Sequence, residues 1–446
     1  MKIELPKQVK KALDLLEVGG YEAYIVGGCV RDCLMDKKPY DWDITTSAKP
    51  HDTAKVFKNF RVIETGIKHG TVTVLIEGMP IEITTFRVDG EYSDSRHPDN
   101  VVFTKDLVSD LSRRDFTVNA LAYSPKSGLV DAFDGLSDVR NKIIRCVGEP
   151  DIRFNEDALR ILRALRFSSV LGFNIEKNTS DSLLKNMKLL GKISAERIQH
   201  ELIKLICGID VERVLLDFRQ VFFEFIPELA PTDGFDQHDS EKHIYTVYEH
   251  IAHAVSVVKA EPHLRMAMLL HDLGKPSTFK LDENDKGTFE NHAEVGADIA
   301  LEVLQRLRFS KRFTQKVVTL VRYHDLKVFE QTDTLPSWLG KLGEDFIRDY
   351  IHIKKADLLS LSPKMAAKAA KVDELEGLLN RLLEEGPCLS LKDLKINGGD
   401  IIGLGVPPTS AVGDVLGKLF DLVLTGEIEN TRDSLMNEAR RILAEM

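Results

Sequence analysis

Gly27-Gly28-Cys29-Val30-Arg31-Asp32, followed after seven intervening residues by Tyr40-Asp41-Trp42-Asp43-Ile44, is the stretch on which the reading of this chain turns. The apolar run Tyr21 to Val26 precedes it and reads as a strand, and the residues after the glycines read as the start of a helix. Two glycines at such a junction let backbone N–H groups approach an anion closely, and a helix start favours negative charge. Arg31 adds a cation suited to phosphate. Residues i and i+2 of a strand point to one side, so a strand over Tyr40 to Thr46 would aim Asp41 and Asp43 into one pocket. Two carboxylates at that range call for a cation, and hard oxygen ligands suit Mg²⁺ with triphosphate oxygens around it. Alone, the glycines also fit a plain turn, and the aspartates a solvated edge strand. Their order and spacing together favour a phosphate turn beside a metal pair.

Working outward, Arg61 to Ile67, Thr71 to Glu77 and Ile81 to Phe86 continue as short β runs punctuated by Gly or Pro. Glu82 on the last run is a candidate third carboxylate, with a solvated strand residue as the alternative. From about residue 151 the pattern changes to helix, beginning with Asp157 to Phe167, whose start Asn155 can cap. The fold class expected is α+β: a mixed-sheet head followed by an elongated, all-helical remainder. The 446 residues exceed one ordinary core, and 43% hydrophobic with 29% charged residues is a globular composition. No apolar run reaches membrane length, and the charged, helix-like N-terminus lacks a signal-peptide core. Cys29, Cys33, Cys146, Cys207 and Cys388 show no zinc or redox spacing and read as reduced thiols in a cytoplasmic protein. The net charge of −10 argues against a polyanionic partner, but its distribution does not. Residues 1–207 hold 31 basic and 30 acidic side chains, and the remainder 29 and 40. A phosphate-binding face therefore belongs towards the N-terminal half.

Three further strings complete an ordered set. Arg113-Arg114-Asp115-Phe-Thr-Val-Asn119-Ala120 offers cations for phosphate and a carboxylate for a ribose hydroxyl, or a charged helix start. Glu156-Asp157-Ala-Leu-Arg160 places an acceptor and a guanidinium at i and i+3, which also fits a surface salt bridge. Ile193 to Glu201 carries Arg197 and Glu201 at i,i+4, a structural pair. Taken in order with the opening strings, these motifs resemble those of the class II tRNA nucleotidyltransferases (CCA-adding enzymes) and the related bacterial poly(A) polymerases, of the DNA polymerase beta superfamily. The resemblance spans roughly residues 20 to 205. It implies that Asp41 and Asp43 are the catalytic Mg²⁺ ligands. It puts Gly27, Gly28, Arg31, Arg114, Asp115 and Asn119 at the nucleotide, and makes Asp157 and Arg160 the base readers. The chemistry agrees: cytosine and adenine both present an amino donor beside a ring acceptor, which a carboxylate beside a guanidinium can pair. Uracil and guanine reverse that order and would leave both protein groups mispaired. In the family the motif around Arg197 braces the helices after the head.

A second set lies downstream: His250, His271-Asp272, His292, His324 and Asp357, all in helical surroundings. Each histidine singly fits an ordinary core or surface position. The ordered set resembles the HD phosphohydrolase superfamily. By that resemblance His250, His271, Asp272 and Asp357 are primary ligands of a second divalent metal, and His292 and His324 the extra pair of two-metal members. Asp325 is an alternative ligand. The reaction implied is hydrolysis of a phosphoester by metal-bound water.

The expected organisation is a head over 1–140, a helical neck over 141–207, a body over 208–385 with the histidine region at about 240–370, and a helical tail over 386–446 that contacts tRNA. Glu384-Glu-Gly-Pro387 marks the last boundary. Phe86 to His97 is polar and contains Gly90, so a mobile loop is expected. CCA-adding and A-adding members carry such a loop, whereas CC-adding members shorten it. The glycine-rich stretch Gly398 to Pro408 before the helical pattern Val412 to Leu424 resembles the tail of histidine-containing members, with a phosphate loop as the weaker alternative. The function implied is addition of C, C and A to the tRNA 3′ end, with tRNA, CTP and ATP as partners and neither DNA nor membrane. A-only addition or polyadenylation is the alternative within this chemistry. A metal phosphohydrolase with an RNA-binding head is the alternative outside it. Nothing in the residues indicates an oligomeric state.

Overall fold

The computed structural model describes residues 3–90, 101–328, 330–384, 391–424 and 426–445. The chain divides into two compact units, 1–230 and 231–446. The expected boundaries at 140/141 and 207/208 lie inside the first.

The first unit opens with α1 (Lys7–Val18), β1 (Ala23–Val26), α2 (Gly28–Leu34), β2 (Asp43–Thr46) and α3 (Pro50–Val56). β3 (Arg61–Ile63), β4 (Thr71–Ile76), β5 (Met79–Thr85), β6 (Arg87–Asp89), β7 (Val101–Phe103) and α4 (Leu107–Ser112) follow. β8 (Leu121–Ser124), β9 (Gly128–Asp131), α5 (Gly135–Asn141) and β10 (Ile143–Ile144) complete the head. Seven strands form one sheet in the order β3-β4-β5-β2-β1-β8-β9. Its central β2–β5 pair is parallel and its other pairs antiparallel, the mixed sheet expected. β1 and β8 are buried along their whole length, whereas β4 alternates, burying Val72, Val74 and Ile76. α1 buries Val9, Ala12, Leu13 and Leu16, the i, i+3, i+4, i+7 stripe of an amphipathic helix.

The helical part of this unit comprises α6 (Pro150–Glu156), α7 (Leu159–Leu171), β11 (Asn174–Ile175), α8 (Lys177–Asn186), α9 (Ala195–Ile206), α10 (Val211–Asp217) and α11 (Arg219–Phe223). Asn155 does not cap the helix that follows. It lies inside α6, and its amide donates to Asp151 O at 2.8 Å and Asn186 Oδ1 at 3.3 Å. Asp157 ends α6 in an extended conformation (φ −140°, ψ 102°), and its own Oδ1 accepts Leu159 N at 3.1 Å. A local side-chain acceptor thus breaks what the apolar period presents as a continuous helix.

Among its described residues, the second unit is helical apart from one hairpin. It runs α12 (Val247–Val257), α13 (Pro262–Leu270), α14 (Lys275–Thr278), β12 (Phe279–Leu281), β13 (Gly287–Phe289), α15 (His292–Arg306) and α16 (Lys311–Tyr323). Then come α17 (Leu335–Leu342), α18 (Glu344–Leu359), α19 (Pro363–Ala366), α20 (Ala369–Glu384), α21 (Gly398–Gly403), α22 (Ser410–Leu424) and α23 (Arg432–Ala444). α12 starts from a capping box in which Thr246 and Glu249 satisfy each other's backbone N–H. The last three helices close over Ile401, Val415, Leu419, Leu435 and Ala439. The expected loop over Phe86 to His97 begins as strand, since Arg87–Asp89 pairs with Val101–Phe103. Residues 91–100 and the boundary residues 385–390, with Cys388, lie outside the described residues. The other four cysteines are free.

Candidate functional site

Gly27 sits between β1 and α2 with φ 82°, a conformation glycine adopts without strain. A Cβ there would stand 3.1 Å from Arg114 Nη1, so the missing side chain is what lets that guanidinium reach the turn. β2 starts at Asp43 rather than Tyr40, which corrects the expected strand. Ile44 is opposite Ile25, and one residue beyond Val26 the chain turns away at Gly27, leaving residues before Asp43 no partner on that side. Asp41 therefore lies exposed in the bend before the strand and not on its face. The two carboxylates still act on each other. Burial first, then the charges of Asp41 and Glu82, push the Asp43 carboxyl up to about 6, against the opposing pull of Arg114. Glu82 faces Asp43 across the parallel β2–β5 register. Three carboxylates against one cation leave net negative charge, which fits a divalent metal.

Arg31 is turned inward. Its Nη1 donates to Asn119 Oδ1 at 2.6 Å, and its Nε and Nη2 donate to Asp32 Oδ1 at 3.0 and 2.7 Å. Asn119 in turn donates to Asp115 Oδ1 at 3.1 Å. Asp115 also takes both Nε and Nη2 of Arg163 on Oδ2, at 2.8 and 2.5 Å. Burial alone would raise the Asp115 carboxyl, but Arg163 and then Asn119 outweigh it and hold it below the usual range. Arg163, absent from the sequence reading, looks there like one more polar residue of an amphipathic helix.

Asp157 and Arg160 do not share one helix face, because the break at Asp157 separates them; Arg160 N donates to Asp157 O at 3.0 Å, but their side chains go to other partners. Asp157 Oδ2 accepts Arg197 Nη2 at 2.8 Å. Arg160 is buried, its Nη1 on Glu156 Oε2 at 2.7 Å and its Nη2 on Arg113 O at 3.1 Å. The expected Arg197–Glu201 pair is replaced: Glu201 Oε2 forms an ion pair with Arg166, 2.6 Å from its Nε, and Arg197 goes to Asp157. Helix-to-helix packing of α7 against α9 thus overrides the i,i+4 spacing.

In the second unit the predicted residues converge. His250, His271 and Asp272 offer ligand atoms within 4.8 Å of one another, and so do Asp272, His292 and His324. Each imidazole Nδ1 faces a backbone carbonyl and so donates to it: His250 to Ser360 O, His271 to Met268 O, His292 to Phe289 O and His324 to Val321 O, at 2.6–3.1 Å. That leaves four Nε2 lone pairs turned inward. They meet as two pairs, His250–His271 at 3.1 Å and His292–His324 at 3.2 Å. Asp272 lies between, Oδ2 within 3.4 Å of the first pair and Oδ1 3.7 Å from each of the second. Neither of its oxygens accepts a well-directed hydrogen bond. Asp357 adds Oδ1 at 3.3 Å from His250. Asp325 is instead half-turned to solvent and lies 3.6 Å from Lys354. Lone pairs aimed at lone pairs across a bridging carboxylate make two adjoining sets of donors that could each hold a cation.

Comparison with known proteins gives a consistent picture. The family described as "Poly A polymerase head domain" matches residues 23–145, that described as "Probable RNA and SrmB- binding site of polymerase A" matches 172–231, and that described as "tRNA nucleotidyltransferase domain 2 putative" matches 292–439. The CCA-adding enzyme of Lactobacillus helveticus is 34% identical over 95% of this chain and 94% of its own length. That of Ligilactobacillus salivarius is 34% identical over 99% and 98%. The crystal structure of the Bacillus stearothermophilus CCA-adding enzyme in complex with CTP superposes with a TM-score of 0.74 at 27% identity, covering 98% of each chain.

Proposed function

This chain belongs to the CCA-adding enzymes, and from that premise we propose how its own residues add C, C and A to the tRNA 3′ end from CTP and ATP without a nucleic-acid template. The observation that carries the reading is the cluster of Asp41, Asp43 and Glu82 beside the Gly27 turn, with Arg114 as its opposing cation. The family's chemistry depends on a divalent metal, and Asp41 and Asp43 would hold it, with Glu82 adjoining; hard carboxylate oxygens make Mg²⁺ our choice. When bound, the metal supplies positive charge to the triphosphate and favours ionisation of the attacking 3′ hydroxyl. Gly27 and Gly28 admit the triphosphate close to the backbone, and Arg114 meets its charge. Asp115, steadied by Asn119, receives the ribose. Arg31 acts through Asn119. Asp157 accepts the amino group shared by cytosine and adenine, and Arg160 donates to the neighbouring ring nitrogen. Arg197 and Glu156 hold these two readers from behind.

The test uses tRNA ending before CCA, at CC, or complete, with CTP and ATP singly and together. Two C residues from CTP alone, and A only onto CC, are expected. Addition of A alone, whatever the acceptor, would sink the reading in favour of an A-adding enzyme.

A second reading rests on its own observation, the four inward Nε2 atoms around Asp272. We propose that His250, His271, Asp272 and Asp357 hold one divalent metal and Asp272, His292 and His324 a second, for metal-dependent phosphoester hydrolysis. Protein carrying Asp41→Asn and Asp43→Asn should still cleave a 2′,3′-cyclic nucleotide when metal is supplied. No turnover with any divalent ion retires this reading. No described helix is long and apolar enough to cross a membrane, and a tRNA substrate suits the cytoplasm.

A further inference from the structure

Asp115 is 9% exposed and fully engaged. Phe116 N at 2.9 Å and Asn119 Nδ2 at 3.1 Å donate to Oδ1, and Arg163 Nε at 2.8 Å and Nη2 at 2.5 Å donate to Oδ2. An ionised carboxylate has about four lone-pair positions, so protein donors fill this one. A ribose hydroxyl can be accepted by Asp115 only in place of one of them. Phe116 N is backbone, and Asn119 is pinned from its other end by Arg31. Arg163 is the partner able to give way. Its side chain is 32% exposed, and its Nη1 stands 3.8 Å from Glu201 Oε1, a second carboxylate ready to take up its charge. Its guanidinium also lies 5.4 Å from the Phe167 ring centroid, which guides where it can move. Arg163 is one helical turn beyond Arg160 on α7, and Arg160 donates to Arg113 O. Both arginines therefore tie the helix that reads the base to the segment that receives the sugar.

We propose that Arg163 is a positioning residue for ribose recognition: its fork keeps Asp115 aimed, and yields one of its two hydrogen bonds to a ribose hydroxyl of the incoming nucleotide. The inference rests on Asp115 being the ribose acceptor, so the experiment tests both. Single-turnover kcat/KM is measured for CTP, 2′-deoxy-CTP, 3′-deoxy-CTP and UTP on tRNA ending before CCA. The enzymes compared are the parent, Arg163→Lys, Arg163→Gln and Asp115→Asn. Arg163→Lys keeps the charge but cannot fork, and it carries the test if Arg163→Gln fails to fold. In both Arg163 variants the preference for CTP over a deoxy analogue should fall about tenfold or more, while the preference for CTP over UTP stays within about twofold. A general loss of activity with the ribo-to-deoxy ratio unchanged makes Arg163 a mere brace and overturns the proposal, provided that Asp115→Asn collapses the ratio. If Asp115→Asn leaves the ratio intact, the reading of Asp115 itself falls.

Discussion

The carboxylate cluster at the start of β2 and the imidazole centre between α12, α13, α15, α16 and α18 are both proposed to hold divalent cations, and they are built for it in opposite ways. At β2 the negative charge is left largely uncompensated. Asp41 is exposed, Asp43 titrates high, and the charge of Arg114 is what opposes it. At the imidazole centre every charge is already answered: Lys275 Nζ stands 2.7 Å from Asp272 Oδ2, and Lys354 Nζ 3.0 Å from Asp357 Oδ2. Every ring is also locked by a backbone carbonyl. Beside it lies a cavity of about 380 Å³ rimmed by Lys242, Lys275, Lys327, Lys354 and Lys368. An open, frustrated anionic cluster gains most when cation and triphosphate arrive together, and it lets both leave with pyrophosphate. A preorganised, enclosed cage suits a resident metal and a small phosphorylated ligand.

The comparison breaks most sharply under crossed knockouts. Asp43→Asn should lower nucleotide addition by about 10³-fold or more, since it removes the proposed metal ligand from the reacting centre. It should leave divalent metal bound at the imidazoles. Asp272→Asn removes the carboxylate common to both cation positions, so the purified protein should lose its tightly held metal, counted by mass spectrometry. Its nucleotide addition should stay within about twofold of the parent. A large fall in addition in Asp272→Asn, with the protein folded, would mean that the two centres are not independent.

A smaller effect sharpens the picture of the open site. Arg160→Ala should reduce the preference for CTP and ATP over UTP and GTP by about 10- to 100-fold while lowering overall nucleotide affinity less. Equal loss for all four nucleotides in a misincorporation assay would show that Arg160, braced by Glu156 and Arg113 O, only supports the fold.

Both candidate clusters were legible in the sequence as ordered motifs, because residue type and order survive any error in element boundaries. The mixed head and the helical remainder were legible from apolar period. What escaped was set by partners distant in sequence. The alternation along β5 offered Glu82 as a candidate, but its place opposite Asp43, 39 residues away by number, is set by strand pairing that no local pattern announces. Arg163 meets Asp115 across 48 residues, and Arg197 meets Asp157 across 40. The i,i+4 rule offered Arg197 to Glu201, but it describes an isolated helix, and α9 is packed against α7, whose Arg166 claims Glu201. The break at Asp157 was hidden for the opposite reason: it is wholly local, a side chain accepting a backbone N–H two residues on, within an otherwise unbroken apolar period.

The smallest effect is in stability, and here the two regions should respond with opposite sign. The chain has two tryptophans, Trp42 in the first unit and Trp338 in the second. Trp338→Phe leaves a fluorescence reporter for the unit holding Asp43, and Trp42→Phe one for the unit holding Asp272. The Asp43 carboxyl is raised from its ordinary 3.8 to about 6. A raised carboxyl binds its proton more tightly when folded, so its charge costs nothing below pH 3.8 and its full amount once the pH passes about 6. At pH 7 without metal that cost is on the order of 1–3 kcal/mol. Asp43→Asn removes it and should raise the midpoint of the Trp42 transition by about 2–5 °C, a gain that disappears as the pH falls to 4. In the second unit Asp272 is held well below the usual range, since His271 and Lys275 outweigh its burial. Asp272→Asn leaves Lys275 buried without its counter-charge, at a cost on the order of 3 kcal/mol, and should lower the Trp338 transition by about 6–10 °C. A fall at both sites would mean that the cluster at β2 is a structural ion network and not a charge held in waiting for metal.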